Sequence, residues 1–307
     1  MNIGRRLLTL LPYFYLKFTA LPVPYWLVIA VGSVLLLLLL VSLGRWWGRK
    51  RWQKHTARRL QQLANAQQQN SSLPTSAPPS ALPAPVQRYL KTALPTGAEP
   101  ITRMQHQQRG QFNLSPTGEK WRPFTATHTA YPQQPGFLWD AQVQAVPLIS
   151  FRVHDWYIAG RGGLEARLQG WLRLMQAPPS AELDDGELLR FLAEAPWYPH
   201  FLKAGANVQW EANDEQSATL VYKGGPRTLR VQFFFGGDRL VERVYVAGRF
   251  RLNEQGQQEA TPWEGRFFAY QSVEGWQLPT RAEVAWLLPG GKRQVYWKAR
   301  ISAIQIT

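Results

Sequence analysis

Hydrophobic positions along this chain follow three rules in turn. From Tyr25 to Leu43 they are continuous, YWLVIAVGSVLLLLLLVSL, with no charge in 19 residues and six consecutive leucines, Leu35 to Leu40. A helix needs about 20 apolar residues to cross a hydrocarbon core of about 30 Å, so this stretch predicts a membrane-spanning helix over 25–44. From Arg45 the pattern stays helical and turns polar, RWWGRKRWQKHTARRLQQLANAQQQ, which predicts a basic juxtamembrane helix over 45–69 that frays in its Gln-rich end. Trp46, Trp47 and Trp52 stand where an interfacial aromatic belt belongs.

Beyond the Pro/Ser-rich linker at 70–84, a soluble β-rich domain is expected over 85–307. It opens with a short helix, Pro85–Leu94, with Pro in its first turn. The period then becomes two. In Trp139–Val146, Trp139, Ala141, Val143 and Ala145 alternate with Asp140, Gln142 and Gln144, the signature of a half-buried strand. Similar runs recur at Gln107–Leu114, Pro123–Tyr131, Ile149–Ile158, Leu164–Leu174, Asn207–Asn213, Ala218–Lys223, Thr228–Phe235, Leu240–Leu252, Gly265–Val273, Thr280–Leu288 and Gln294–Ile306, separated by turn signals such as Gly236-Gly237-Asp238 and Glu274-Gly275. One helix, Asp184–Pro199, interrupts them. Asp184 and Glu187 read as its N-terminal capping pair, Leu188, Leu189, Leu192 and Ala195 as its apolar face, and Pro196 as its stop. The expected class is α+β, mostly antiparallel β: a curved meander sheet or half-barrel packed on a central helix, preceded by one N-terminal transmembrane helix.

Charge sharpens this. The formal net charge is +15, but residues 1–81 hold ten Lys/Arg and no Asp or Glu, leaving 25 basic against 20 acidic residues in 82–307. The basicity belongs to the membrane flank (Arg45, Arg49, Lys50, Arg51 and Lys54 above all), where cations attract anionic headgroups at about 1 kcal/mol each. Membrane lipids are the expected partners and nucleic acid is not; the sequence names no protein partner. Three Lys/Arg precede the span (Arg5, Arg6, Lys17) and seven follow it between Arg45 and Arg59. This bias predicts a single-pass protein of the cytoplasmic membrane with its domain in the cytoplasm; the extracytoplasmic side stays open. Met1–Pro24, whose apolar run is only ten residues long and holds Pro12, reads as a short interfacial segment. Arg5-Arg6 is a poor twin-arginine signal, with Lys17 and prolines in its hydrophobic region.

With no cysteine, disulfides, thiolate nucleophiles and Cys-ligated metals are excluded. His55, His106, His128, His154 and His200 form no HExxH or HxH spacing, and His154 and Asp155 point to opposite faces of a strand. Glu187 and Glu194 lie about 10 Å apart along a helix at 1.5 Å per residue, a distance that suits an inverting glycosidase, but the favoured reading is a helix cap for Glu187 and an ion pair with a basic neighbour for Glu194. No nucleophile elbow, Walker motif or dinucleotide fingerprint is present, and Gly160-Arg161-Gly162-Gly163 reads as a hairpin turn. No catalytic residue, metal or cofactor is expected.

The stretch Leu188–Pro199, LLRFLAEAPWYP, with LPAPVQRYL (82–90), WRPFTATHT (121–129), GFLWDAQV (136–143), RVHDWYIAGRG (152–162), TPWEGRF (261–267) and YQSVEGWQLP (270–279), resembles a family of bacterial, mostly membrane-anchored proteins carrying a domain of unknown function. The pattern Phe268-x-Tyr270-x-x-Val273-x-Gly275-x-x-Leu278-Pro279 is similar to the final hairpin of the lipoprotein-localisation-factor superfamily. That resemblance implies a curved half-barrel around helices, with acyl chains held in its cavity. Trp139, Arg152, Asp155, Arg190, Trp197, Trp263 and Arg266 are the ligand-pocket candidates: the tryptophans as an apolar lining, the arginines for a headgroup phosphate or for the neighbouring carboxylates. The favoured reading is non-catalytic binding of a lipid or other hydrophobic small ligand beside the membrane. A structural or protein-interaction domain with a filled core and an unrecognised enzyme are the alternatives.

Overall fold

A computed structural model describes residues 24–68, 82–97, 99–115, 118–203, 205–252 and 257–307. Most of the expected N-terminal segment at 1–24 and of the Pro/Ser-rich linker lies outside them. Two units are distinguished, Met1–Trp46 and Trp47–Thr307. Helix α1, Tyr25–Gln68, contributes to both. In the first unit its apolar run is open, each leucine from Leu35 to Leu40 being more than half exposed. This is one helix long and apolar enough to cross a membrane, and none of its apolar window is buried.

The second unit is built on thirteen antiparallel strands: β1 Met104–Asn113, β2 Trp121–Tyr131, β3 Gly136–Val146, β4 Ile149–Ile158, β5 Arg161–Leu168, β6 Leu172–Gln176, β7 Val208–Ala212, β8 Ser217–Tyr222, β9 Leu229–Phe235, β10 Val241–Leu252, β11 Gln258–Val273, β12 Trp276–Leu287 and β13 Arg293–Ile306. They form one sheet in the order β6-β5-β4-β3-β2-β1-β13-β12-β11-β10-β9-β8-β7. Two meanders are thus joined where the first strand pairs with the last, Arg109 opposite Arg300. Helix α3, Ala181–Ala193, lies between them in sequence and packs against β3, β4 and β5 from one arm and β9 and β10 from the other. Strands so far apart in one sheet reach the same helix only if the sheet curls around it, so the architecture is a half-barrel with α3 on its concave side. Helix α2, Ala84–Ala93, buries Val86, Tyr89 and Ala93 against β8, β12 and the 3-10 turn at Pro199–Leu202. At Gly162 a Cβ would meet the Leu183 carbonyl carbon at 3.0 Å, so glycine lets β5 run close under α3.

Three local expectations are corrected. The run Leu164–Leu174 is two strands, because Gln169 and Gly170 both take positive φ and reverse the chain. Helix α3 starts at Ser180, whose Oγ accepts from Leu183 N at 3.1 Å; Pro178-Pro179 stops it from starting earlier. Asp184, expected as the cap, instead accepts from Gly162 N at 2.7 Å and pairs with Arg161. Glu187 caps nothing and is buried.

The polar half of α1 is also more than a flank. Trp52, expected in an interfacial belt, is 1% exposed. It donates Nε1–H to Asp140 Oδ1 at 2.8 Å, and Thr56 Oγ1 donates to Asp140 Oδ2 at 3.2 Å. The Arg59 guanidinium lies 3.3 Å over the Trp156 ring, Leu63 is fully buried, and Gln67 Nε2 donates to Gln134 O at 3.2 Å. Residues 47–68 therefore form part of the second unit's outer layer, while Arg49, Lys50, Arg51 and Lys54 remain exposed.

Candidate functional site

Cross-strand register sets out a row of side chains on the concave face: His106 on β1, His128 on β2, Trp139 on β3 and Asp155 on β4. Helix α3 lowers Glu187, Arg190 and Glu194 onto this row, three and four residues apart and hence on one helical face. Arg190 donates to Asp155 Oδ2 through NH1 and to Glu194 Oε1 through Nε, the latter at 2.8 Å. Its guanidinium lies 5.4 Å from the Trp139 ring centre. From the other arm, Arg249 donates to Glu187 Oε1 at 3.1 Å and to Gly186 O at 3.0 Å, and sits 5.4 Å from the Trp263 ring centre.

Two guanidiniums thus face three carboxyl groups, and the cluster is neutral if one carboxyl holds a proton. Burial, reinforced by the charge of Asp155, pushes Glu187 well above the usual carboxylate range. Burial alone would lower Arg190, but Glu194, Asp155 and Glu187 outweigh it and hold the cation firmly. Burial pushes His106 and His128 well below the usual imidazole range, so both are neutral. Gln108 fixes the tautomer of one: its Oε1 accepts from Trp139 Nε1 at 2.7 Å, so its amide N–H, 2.9 Å from His106 Nε2, donates there. The proton of His106 is on Nδ1. His128 Nε2 lies 3.2 Å from Glu194 Oε2. Trp197, on the 3-10 turn after α3, donates to Pro279 O at 3.0 Å, its ring centre 5.0 Å from that of His106. The concave face is closed by α3, this turn and the aromatic rings, with each charge in the cluster answered by a neighbour.

The opposite face of the same strands carries a second cluster, with Asp140, His154 and Glu165 in register on β3, β4 and β5. His55, His154 and Glu165 bring one ligand atom each to within 4.8 Å of one another, a spacing that suits a metal ion. The donor set does not: Arg59, Arg167 and Arg173 all reach Glu165, Arg167 at 2.6 Å, and already neutralise the carboxylate that would hold the cation. His154 stacks on Trp52 with ring centres 3.9 Å apart, and its Nε2 pairs with Thr56 Oγ1 at 2.8 Å. Burial pushes it down to about 2. Glu264 repeats the device on β11, meeting Arg243, Arg266 and Arg293. These are ion-pair networks that fasten the outer surface.

A sequence-family model, described as a family of unknown function (DUF6920), matches residues 80–306. The chain belongs to DUF6920. The match contains every motif that carries the resemblance, from Leu82 to Pro279. No curated protein matches the chain. Among solved structures, the LolA superfamily protein NE2245 from Nitrosomonas europaea is similar at 9% identity and a TM-score of 0.38, over 73% of this chain and 92% of that one. A DUF1329 family protein from Desulfovibrio piger is similar at 10% identity and a TM-score of 0.35, over 74% and 93%. Neither likeness carries a ligand or a partner over to this chain.

Of the seven pocket candidates, Trp139, Asp155, Arg190, Trp197 and Trp263 come together beneath α3 in this DUF6920 domain. Arg152 and Arg266 do not. Arg152 lies on the outer face between Gln142 and Arg167, where burial lowers it and Asp140 opposes that shift. Arg266 pairs with Glu264 at 3.0 Å on the outside of β11. Sequence reasoning missed Arg249, and the reason is visible in β10. Val244 and Val246 face inward, but the register shifts between Val246 and Arg249. That bulge exchanges the faces and turns Arg249 inward. Gly248, in the middle of a strand run, was its one sequence signal.

Proposed function

We propose that the protein is a single-pass, membrane-anchored, non-catalytic module whose half-barrel binds a hydrophobic ligand, a lipid acyl chain being the fitting class, beside the bilayer. The observation that carries this is the concave face itself, an aromatic surface closed by one helical segment, residues 181–202. That segment is held to both arms of the sheet by the charged contacts of Arg190 and Arg249. Displaced as a unit, such a plug would uncover the rings of Phe137, Trp139 and Trp263 beside the polar row of His106, His128 and Asp155. The anchor is the uncharged run 25–43, and the Lys/Arg count favours the cytoplasmic side for the domain, with the extracytoplasmic side left open. A second reading has its own support: the indole N–H groups of Trp139, Trp197 and Trp263 are all hydrogen-bonded, as in a permanently filled core of an interaction domain.

The two separate by photo-crosslinking of the full chain in nanodiscs that contain a diazirine-bearing phospholipid, followed by peptide mapping. Labelling of the 181–202 peptide or of β12, in addition to the 25–43 peptide, is the expected result. Label confined to 25–43 would rule out ligand binding and leave the interaction domain.

A further inference from the structure

Large apolar side chains of the second unit gather in the open at one end of the sheet. The β3–β4 tip exposes Val146, Leu148 and Ile149; the β5–β6 tip and edge strand β6 expose Trp171, Leu172, Leu174 and Met175, all between 42% and 70%. The two tips are tied to each other. Gln169 N donates to Ser150 O at 2.9 Å, and Gln169 Nε2 donates to Leu148 O at 2.6 Å. Leu148 takes φ +67°, a conformation that glycine or asparagine adopts at far lower cost. A leucine held there and 70% exposed is poorly explained by the fold alone.

Two further observations identify the occupant. Helix α1 crosses the second tip at Gly48: a Cβ there would meet Trp171 Cδ1 at 2.9 Å and the Gln169 carbonyl oxygen, and a Cβ on Gly170 would meet Gly48 O at 2.8 Å. Gly48 follows Leu43, the end of the uncharged run, by five residues. Even fully extended, five residues reach no more than about 18 Å, so the chain tethers Gly48, and with it the tip it touches, within that reach of Leu43. The charge is also of one sign. Neither 144–150 nor 168–176 contains Asp or Glu, whereas Arg49, Lys50, Arg51 and Lys54 are exposed on the adjoining helix and Arg173 on β6. Apolar and aromatic tips ringed by cations match the headgroup zone of an anionic leaflet.

We propose that these two hairpin tips insert into the interface of an anionic bilayer and seat the domain on the membrane beside its anchor. The proposal rests on reading residues 25–43 as a membrane span. The chain has no cysteine, so single nitroxide labels can be placed cleanly. The full chain, in nanodiscs containing anionic phospholipid, would carry a label at Leu148→Cys or Trp171→Cys. Leu37→Cys serves as the insertion control, and Ala159→Cys, at the far end of β4, as the aqueous control. The accessibility of each label to oxygen and to a water-soluble nickel chelate is then compared. Positions 148 and 171 are expected to favour oxygen, as Leu37 does, and position 159 to favour nickel. Nickel access at 148 and 171 with oxygen access at 37 overturns the seating while leaving the anchor intact. Nickel access at 37 overturns both. Labels at 148 and 171 shielded from both reagents would mean that a second copy, not lipid, covers the tips.

Discussion

Arg190 is the side chain on which the concave-face cluster depends, since it answers both Asp155 on β4 and Glu194 at the end of α3. Arg190→Met leaves Asp155 and Glu194 as partly buried, uncompensated charges, and breaking one side of such a network costs up to about 3–5 kcal/mol. Adding Asp155→Asn and Glu194→Gln to Arg190→Met is expected to recover most of that loss, because neutral groups of similar shape tolerate burial. Denaturant unfolding of the chain in detergent reads both. The histidines make the second residue-scale prediction. His106, His128 and His154 are all pushed below the ordinary value, so below about pH 6.5 the unfolded chain takes up protons that the folded chain does not. Their contribution is intact above that pH and is lost as the pH falls, by up to about 1.4 kcal/mol per unit for each group. Melting temperature is expected to hold from pH 8 to 7 and fall between 6.5 and 5, and His154→Gln to reduce the slope. Glu187 has the opposite sign: raised in the folded state, its contribution is present at low pH and fades as the pH climbs through its folded value.

Among the elements, the polar half of α1 departs most from what the sequence announces. Its charge and glutamines describe a solvated spacer, yet its buried residues are Gly48, Trp52 and Leu63, too sparse to register as an apolar stripe. Trp52→Ala is expected to cost about 3–5 kcal/mol, as for other buried large-to-small changes, and to raise amide exchange across 47–68. Gly48→Ala has no volume to fill and forces the helix off Trp171; exchange should then rise near residue 48 and in the 168–172 turn, with β10 to β13 unchanged. If exchange rises uniformly in either variant, the segment is part of the global fold and not a separable layer. The strands were legible because alternation survives almost everywhere: the expected 149–158 strand stands as read. It failed where a bulge or a positive-φ pair intervened, at Gly248 and at Gln169-Gly170. Such features rest on one or two backbone angles, and composition hardly signals them.

For the whole molecule, period-two runs around a single helix were enough to give the half-barrel, and the motif around 188–199 marked the element at its centre. The convergence of Asp155, Arg190 and Arg249 was not readable, because Arg249 meets Glu187 across 62 residues of sequence, and spacing carries no information over that distance. The strand order holds one more consequence. Strands β6 and β7 are neighbours in sequence but form opposite edges of the sheet, and within the sheet the two arms are joined by β1 against β13. A chain emerging from the ribosome can therefore form both meanders early but cannot join them until residues 293–306 are free. Until then, β1 and β12 each present an open edge. Closure over such a long sequence separation is slow, and unpaired strand edges are where nascent chains aggregate. The final strand acts as the clock of this fold.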